Sequence, residues 1–196
     1  MDEKVKEDTF MLEYSYIKNN DYKEDIKFLV RNLPDYFFEV PASSTGKYHP
    51  KYTLGDGGLV RHTKAAVRLA YELLNDPVIG DKYTDREKDL MIMSLIIHDG
   101  LKSGREKSKY TKVEHPLLAC DYIEENMDNL NMSDEDIEFM CNVISSHMGP
   151  WNKDFDGNEV LPVPKNKYQN FVHMCDYLAS RKAVLFEFDD NDNIVG

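Results

Sequence analysis

The chain has 196 residues, 41% of them hydrophobic and 31% charged, which is globular material long enough for one domain with its own core. Its formal net charge of −12 opposes a broad nucleic-acid surface, and no apolar run approaches the roughly 18 residues that span a bilayer. Cys120, Cys141 and Cys175 are odd in number and contain no CxxC pair, so they read as reduced thiols rather than a disulfide frame.

The first residues, MDEKVKEDTF, are charged and acidic, unlike a secretory signal or transit peptide, and the expected location is cytoplasmic. Residues 1–20 mix charge with Phe10, Met11, Leu12, Tyr14, Tyr16 and Ile17 and are read as an extension in which a short helix either packs on the domain or frays. The domain is placed over residues 21–185, and the polar residues 186–196 are read as a loose tail. A helix is predicted near 22–33, ending before Pro34. The stretch PASSTGKYHPKYTLGDGG is a turn-rich loop, followed by a long helix from Leu59 to about Leu74. Thr84 and Glu87 form a capping box for a helix containing LMIMSLII, apolar on all sides and so central. Further helices are predicted from Pro116 to about Met127, from Ser133 past Ile144, and from Asn166 to about Ala183. Residues 149–165 are a loop, in which DFDGNE lacks the spacing of a calcium site and reads as a turn. No alternating run suggests a strand, and the predicted class is all-α.

Charge is unevenly spread. Residues 41–68 carry Lys47, Lys51, Arg61, Lys64 and Arg68 against Asp56, and residues 100–113 carry Lys102, Arg105, Lys107, Lys109 and Lys112 against Glu106. Each segment is +4 and the remainder is −20, a pattern suited to a small phosphorylated ligand rather than a long duplex.

Four of the six histidines and two aspartates stand where ligands would be useful. His62 lies in the helix after Leu59, His98-Asp99 closes the apolar helix, His115 opens a helix, His147 follows the next, and Asp176 is in the last. At about 100° per residue, His62 lies about 60° from the centre of its apolar stripe, His147 about 80° and Asp176 about 95°. His173 falls about 155° away and is treated as structural or as a partner of Asp176. Stripe-edge ligands would rim a metal site in the core between helices. Imidazoles and carboxylates together suit one or two divalent ions, among Mn, Fe, Co, Ni, Zn or Mg, and Asp99 has two oxygens with which to bridge a pair.

At these residues the chain resembles the HD-domain metal-dependent phosphohydrolase superfamily. GGLVRHT (57–63) and HDGLK (98–102) resemble its opening helix and HDxxK motif, while SSHMG (145–149) and HMCDYLASR (173–181) resemble its third His region and closing Asp helix. The match spans about residues 46–181 and is nearest to the HD domain of bacterial 3′-to-5′ exoribonucleases. Two departures stand out: His147-Met148 replaces the His-His pair of many two-metal members, and 196 residues leave no room for the exoribonucleases' oligonucleotide-binding domain.

The resemblance implies a single-domain HD-type helical bundle. It implies metal ligation by His62, His98, Asp99 and Asp176, with His115 and His147 adding a second ion through Asp99. The implied reaction is cleavage of phosphate esters of small nucleotides by metal-activated hydroxide, with Asp99 and Lys102 as the catalytic pair and Lys102 neutralising phosphoryl charge. Lys47, His49, Arg61, Arg105 and Lys112 are the expected substrate-binding residues, with Tyr48 or His49 stacking on a base. A 3′-to-5′ exonuclease acting on short single-stranded RNA or DNA, and a non-catalytic nucleotide-binding sensor, remain the alternatives. No membrane partner is expected.

Overall fold

Residues Asp89 to Ile97 are all buried, so beyond its first turn the helix that carries them has no solvent face. In a computed structural model of the chain, which describes residues 1–43, 45–47 and 49–195, this helix is the hub of an all-helical fold. Tyr48 lies outside the described residues. The helices are α1 (Glu3–Asp8), α2 (Met11–Ser15), α3 (Asn20–Arg31), α4 (Tyr36–Glu39), α5 (Gly58–Asn75), α6 (Pro77–Gly80), α7 (Asp85–Ile97), α8 (His115–Glu125), α9 (Asp134–Ile144) and α10 (Lys167–Ala179). The central α7 packs against α3, α5, α9 and α10; α5 also lies along α10, and α8 covers α9. Among the described residues there is no strand, only the isolated bridges Lys153–Glu159 and Phe188–Ile194, and no helix is long and apolar enough to cross a membrane.

Local chemistry starts these helices where the sequence says it should. Thr84–Glu87, Ser133–Asp136 and Asn166–Gln169 form reciprocal capping boxes on α7, α9 and α10. Each satisfies otherwise orphaned amide protons of a first turn. The start of α5 is set by close approach: a Cβ on Gly58 would stand 2.2 Å from the Thr53 carbonyl oxygen, so only glycine fits. These starts matter because α5, α7 and α10 carry His62, His98 and Asp176 toward one another.

The first twenty residues are not an appendage. Phe10, Tyr14 and Ile17 are fully buried and belong to the same core as α3, α5 and α7. The carboxylate of Asp89 on α7 accepts the backbone amides of Lys18 and Asn19 at 2.9 and 2.8 Å, which ties the extension to the hub. The tail is also held: Lys64 Nζ donates to Asp192 O at 2.8 Å and to Asn193 Oδ1 at 3.0 Å.

Candidate metal centre

Each of three histidines follows or opens a helix in a way that fixes its ring. His98 Nδ1 donates to Leu95 O at 2.7 Å, His115 Nδ1 to Lys112 O at 2.6 Å, and His147 Nδ1 to Ile144 O at 2.8 Å. A carbonyl can only accept, so Nδ1 holds a proton in all three and Nε2 is turned inward. The pattern of one ring nitrogen anchored to a backbone carbonyl and the other presented is the usual support of a metal-ligating imidazole.

The presented atoms converge on Asp99, which is buried at the end of α7. Its Oδ1 lies 3.0 Å from His115 Nε2 and 3.7 Å from His147 Nε2, and those two nitrogens are 3.2 Å apart. Its Oδ2 lies 3.5 Å from His98 Nε2, 3.8 Å from His62 Nε2 and 2.5 Å from Lys102 Nζ. Asp176, from α10, places Oδ1 2.9 Å from His62 Nε2 and 3.5 Å from His98 Nε2. The six side chains, from five separate stretches of chain, thus form overlapping groups whose ligand atoms lie within 4.8 Å of one another, and these groups could hold a metal ion.

The cationic and imidazole neighbours keep both carboxylates of this centre as anions. Burial by itself raises a carboxyl, but Lys102, His98 and His115 outweigh it at Asp99, and His62 and His98 do so at Asp176. Both carboxylates are held ionised, well below their usual range. His147 is pushed down to about 3, first by burial and then by the charge of neighbouring His98, so at neutral pH its Nε2 is a bare lone pair. His98 Nε2, His62 Nδ1 and Asp99 Oδ1 are buried without a hydrogen-bond partner among the described residues. At the meeting of His115, His147 and Asp99, one proton can satisfy two acceptors; a divalent ion satisfies all three.

A cavity of about 540 Å³ opens onto this centre. His62, His115 and Asp176 form its floor together with Lys102, and His49 faces it from the loop before α5. The His49 pKa falls to about 4, chiefly through burial and then through His62, Lys102 and Arg181, so this ring is neutral beside the site.

The remaining expected substrate contacts are placed elsewhere. Arg61 does not line the cavity: its guanidinium donates to Tyr52 O, Leu54 O, Asp56 O and Asp192 Oδ1, clamping the loop and the tail. Arg105 makes a two-pronged pair with Glu125 at 2.6 and 2.7 Å. Lys47 and Lys112 are not among the cavity-lining residues; the Lys112 backbone instead links Lys102 to His115, accepting from the His115 ring. His173 is structural, but its partner is the His147 carbonyl, 2.6 Å from Nδ1, rather than Asp176.

Sequence reasoning passed over the outer wall, where Trp151, Tyr177, Ser180 and Arg181 line the cavity. The signal was present: the chain's single tryptophan stands four residues after His147, and Arg181 stands five after Asp176. Comparison with protein families, with curated proteins and with solved structures finds no match for this chain.

Proposed function

We propose that this protein is a metal-dependent phosphohydrolase of the HD-domain type that cleaves phosphate ester bonds of small nucleotides. The observation that carries the proposal is the convergence of His115 Nε2, His147 Nε2 and Asp99 Oδ1 within 3.7 Å, with both rings already anchored through Nδ1. The order of ligands along the chain, His62, His98-Asp99, His115, His147 and Asp176, is that of the HD-domain enzymes it resembles.

A divalent ion bound here would supply Lewis acidity and bring the pKa of a coordinated water from about 16 toward about 7. The two oxygens of Asp99 face different histidines, an arrangement that suits one ion or a pair. Lys102 stands at the cavity floor with its ammonium on Asp99, where it can also meet a phosphoryl oxygen. Neutral His49, whose ring centroid lies 6.4 Å from that of His62, can donate or accept a hydrogen bond without adding charge. The cavity volume of about 540 Å³ is that of a small-molecule site, and Lys102 and Arg181 are the only lysine or arginine on its described wall. That supports a single nucleotide over a strand, which needs a track of cations along its backbone.

The test is a panel of nucleoside mono- and triphosphates, cyclic nucleotides and short RNA, each assayed with Mn, Co, Ni, Zn and Mg. Metal-dependent release of phosphate or opening of a cyclic phosphodiester is expected. Failure of every nucleotide with every ion would overturn the proposal, and preferential digestion of the RNA would favour the nuclease.

A further inference from the structure

The outer wall of the cavity has a chemistry that the metal centre does not use. Trp151 is 52% exposed, yet its ring is not adrift: it lies parallel to Tyr177, with 15° between the planes and 5.8 Å between centroids. The Arg181 guanidinium sits 4.5 Å from the centre of the same Tyr177 ring. It donates twice to Ser180 Oγ, at 3.1 and 2.8 Å, and has no carboxylate partner among the described residues. The other cavity-lining cation, Lys102, already shares its charge with Asp99. Arg181 is therefore the cation on this wall left to meet an anion from outside.

Position adds to this. Trp151 follows ligand His147 by four residues and Arg181 follows ligand Asp176 by five, so both wall elements are built on the short segments that hold the centre. The Trp151 amide donates to Met148 O, and the intervening Gly149 is held at φ +59° against the His173 ring. A half-exposed tryptophan ring at a cavity offers apolar area that gains free energy when a planar ligand stacks on it and removes it from water.

We propose that Trp151, backed by Tyr177, is a stacking platform for the planar base of a nucleotide, and that Arg181 grips a phosphate of that same ligand. The base would then lie at the mouth and the phosphates would run inward toward Lys102. This refines the reading of the site as a nucleotide hydrolase, but base binding itself requires no turnover. Stacking tolerates any base, so the platform selects for the presence of a base rather than its identity.

The single tryptophan makes emission a local reporter of the platform. Wild-type protein is titrated with adenosine and uridine 5′-monophosphates, with ribose 5-phosphate and with inorganic phosphate, in EDTA and again in Mg. Saturable quenching by both nucleotides and none by ribose 5-phosphate or phosphate is expected. Trp151→Leu should weaken nucleotide binding roughly 10- to 100-fold, with the loss appearing in KM rather than kcat, and Trp151→Phe should recover most of it. Arg181→Gln should weaken binding of the nucleotide while leaving that of the bare nucleoside unchanged. Unchanged nucleotide affinity in Trp151→Leu, or emission that ignores nucleotides the enzyme hydrolyses, would overturn the platform and leave the phosphohydrolase standing. Quenching by nucleotides with no hydrolysis under any metal would do the reverse.

Discussion

Replacing Gly149 by alanine should perturb the candidate metal centre through a residue outside the cluster of histidines and aspartates. Gly149 has φ +59°, and a Cβ built there would stand 2.3 Å from His173 Cε1 and 2.7 Å from its Nε2. Holding alanine in the left-handed region costs about 1–2 kcal/mol. The imidazole cannot compress, so His173 must leave, breaking its 2.6 Å bond to the His147 carbonyl. Loss of that bond adds roughly 0.5–1.5 kcal/mol. At roughly 2–4 °C per kcal/mol for a chain of this size, the combined cost of about 1.5–3.5 kcal/mol should lower Tm of the metal-free protein by roughly 3–14 °C. The freed carbonyl belongs to His147 itself, so metal affinity should weaken by about tenfold or more, as when other supports of a ligand are removed. Thermal denaturation in EDTA and calorimetric titration with metal measure the two effects separately. The double variant Gly149→Ala/His173→Ala relieves the collision but not the dihedral cost, so it should recover only part of the stability. A Gly149→Ala protein with wild-type Tm and wild-type metal affinity would refute the reasoning.

Other consequences follow from the charges. Burial alone would lower the His98 pKa, but Asp99 and Asp176 outweigh it and raise the value in the fold. The stability this contributes is fully present below the ordinary value of 6.5 and is lost as pH rises through the raised folded value. Tm of the metal-free protein should therefore drop across that window, while metal affinity climbs because the ion must displace the proton. Titrations in two buffers of different ionisation enthalpy should detect about one released proton, and a pH-independent affinity would contradict the assignment. Lys102→Met removes the ammonium that occupies Asp99 Oδ2, so it should tighten metal binding while lowering kcat; weaker metal binding in that variant would count against its role. Arg61→Ala should lower Tm by breaking the clamp on Tyr52, Leu54, Asp56 and Asp192, yet leave KM for a nucleotide unchanged. A raised KM would restore Arg61 to the substrate site.

The parts of this fold that were legible in the sequence are those decided locally. The caps at Thr84 and Ser133 mark helix starts because the cap and its partner are three residues apart. The all-apolar run of α7 announces a central helix, since burial on every side leaves no polar face to write. The six side chains that converge around Asp99 were legible for a different reason: each sits at a helix end or stripe edge, where one local pattern sets its direction. What depended on distant partners was not legible. Phe10, Tyr14 and Ile17 have helical spacing, but the acids and lysines around them hid a face that only the rest of the core explains. Counting charges marked two basic segments, yet a count cannot say that Glu125 would absorb Arg105, or that backbone carbonyls and Asp192 would absorb Arg61. The wall of Trp151, Tyr177 and Arg181 joins the loop after His147 to the end of α10, a contact that no spacing in the sequence encodes.

The proposed chemistry requires a divalent ion held by the histidines grouped around Asp99. The most direct measurement is the metal content of the purified protein, with calorimetric binding of Mn and Zn, for wild type and Asp99→Asn. Asparagine keeps the shape of the side chain but removes the charge that faces four imidazoles and Lys102. Wild type should bind one or two equivalents and gain Tm on loading, and Asp99→Asn should lose at least one equivalent and most of that gain. A wild-type protein that binds neither ion, or an Asp99→Asn protein that binds both as tightly as wild type, would contradict the claim.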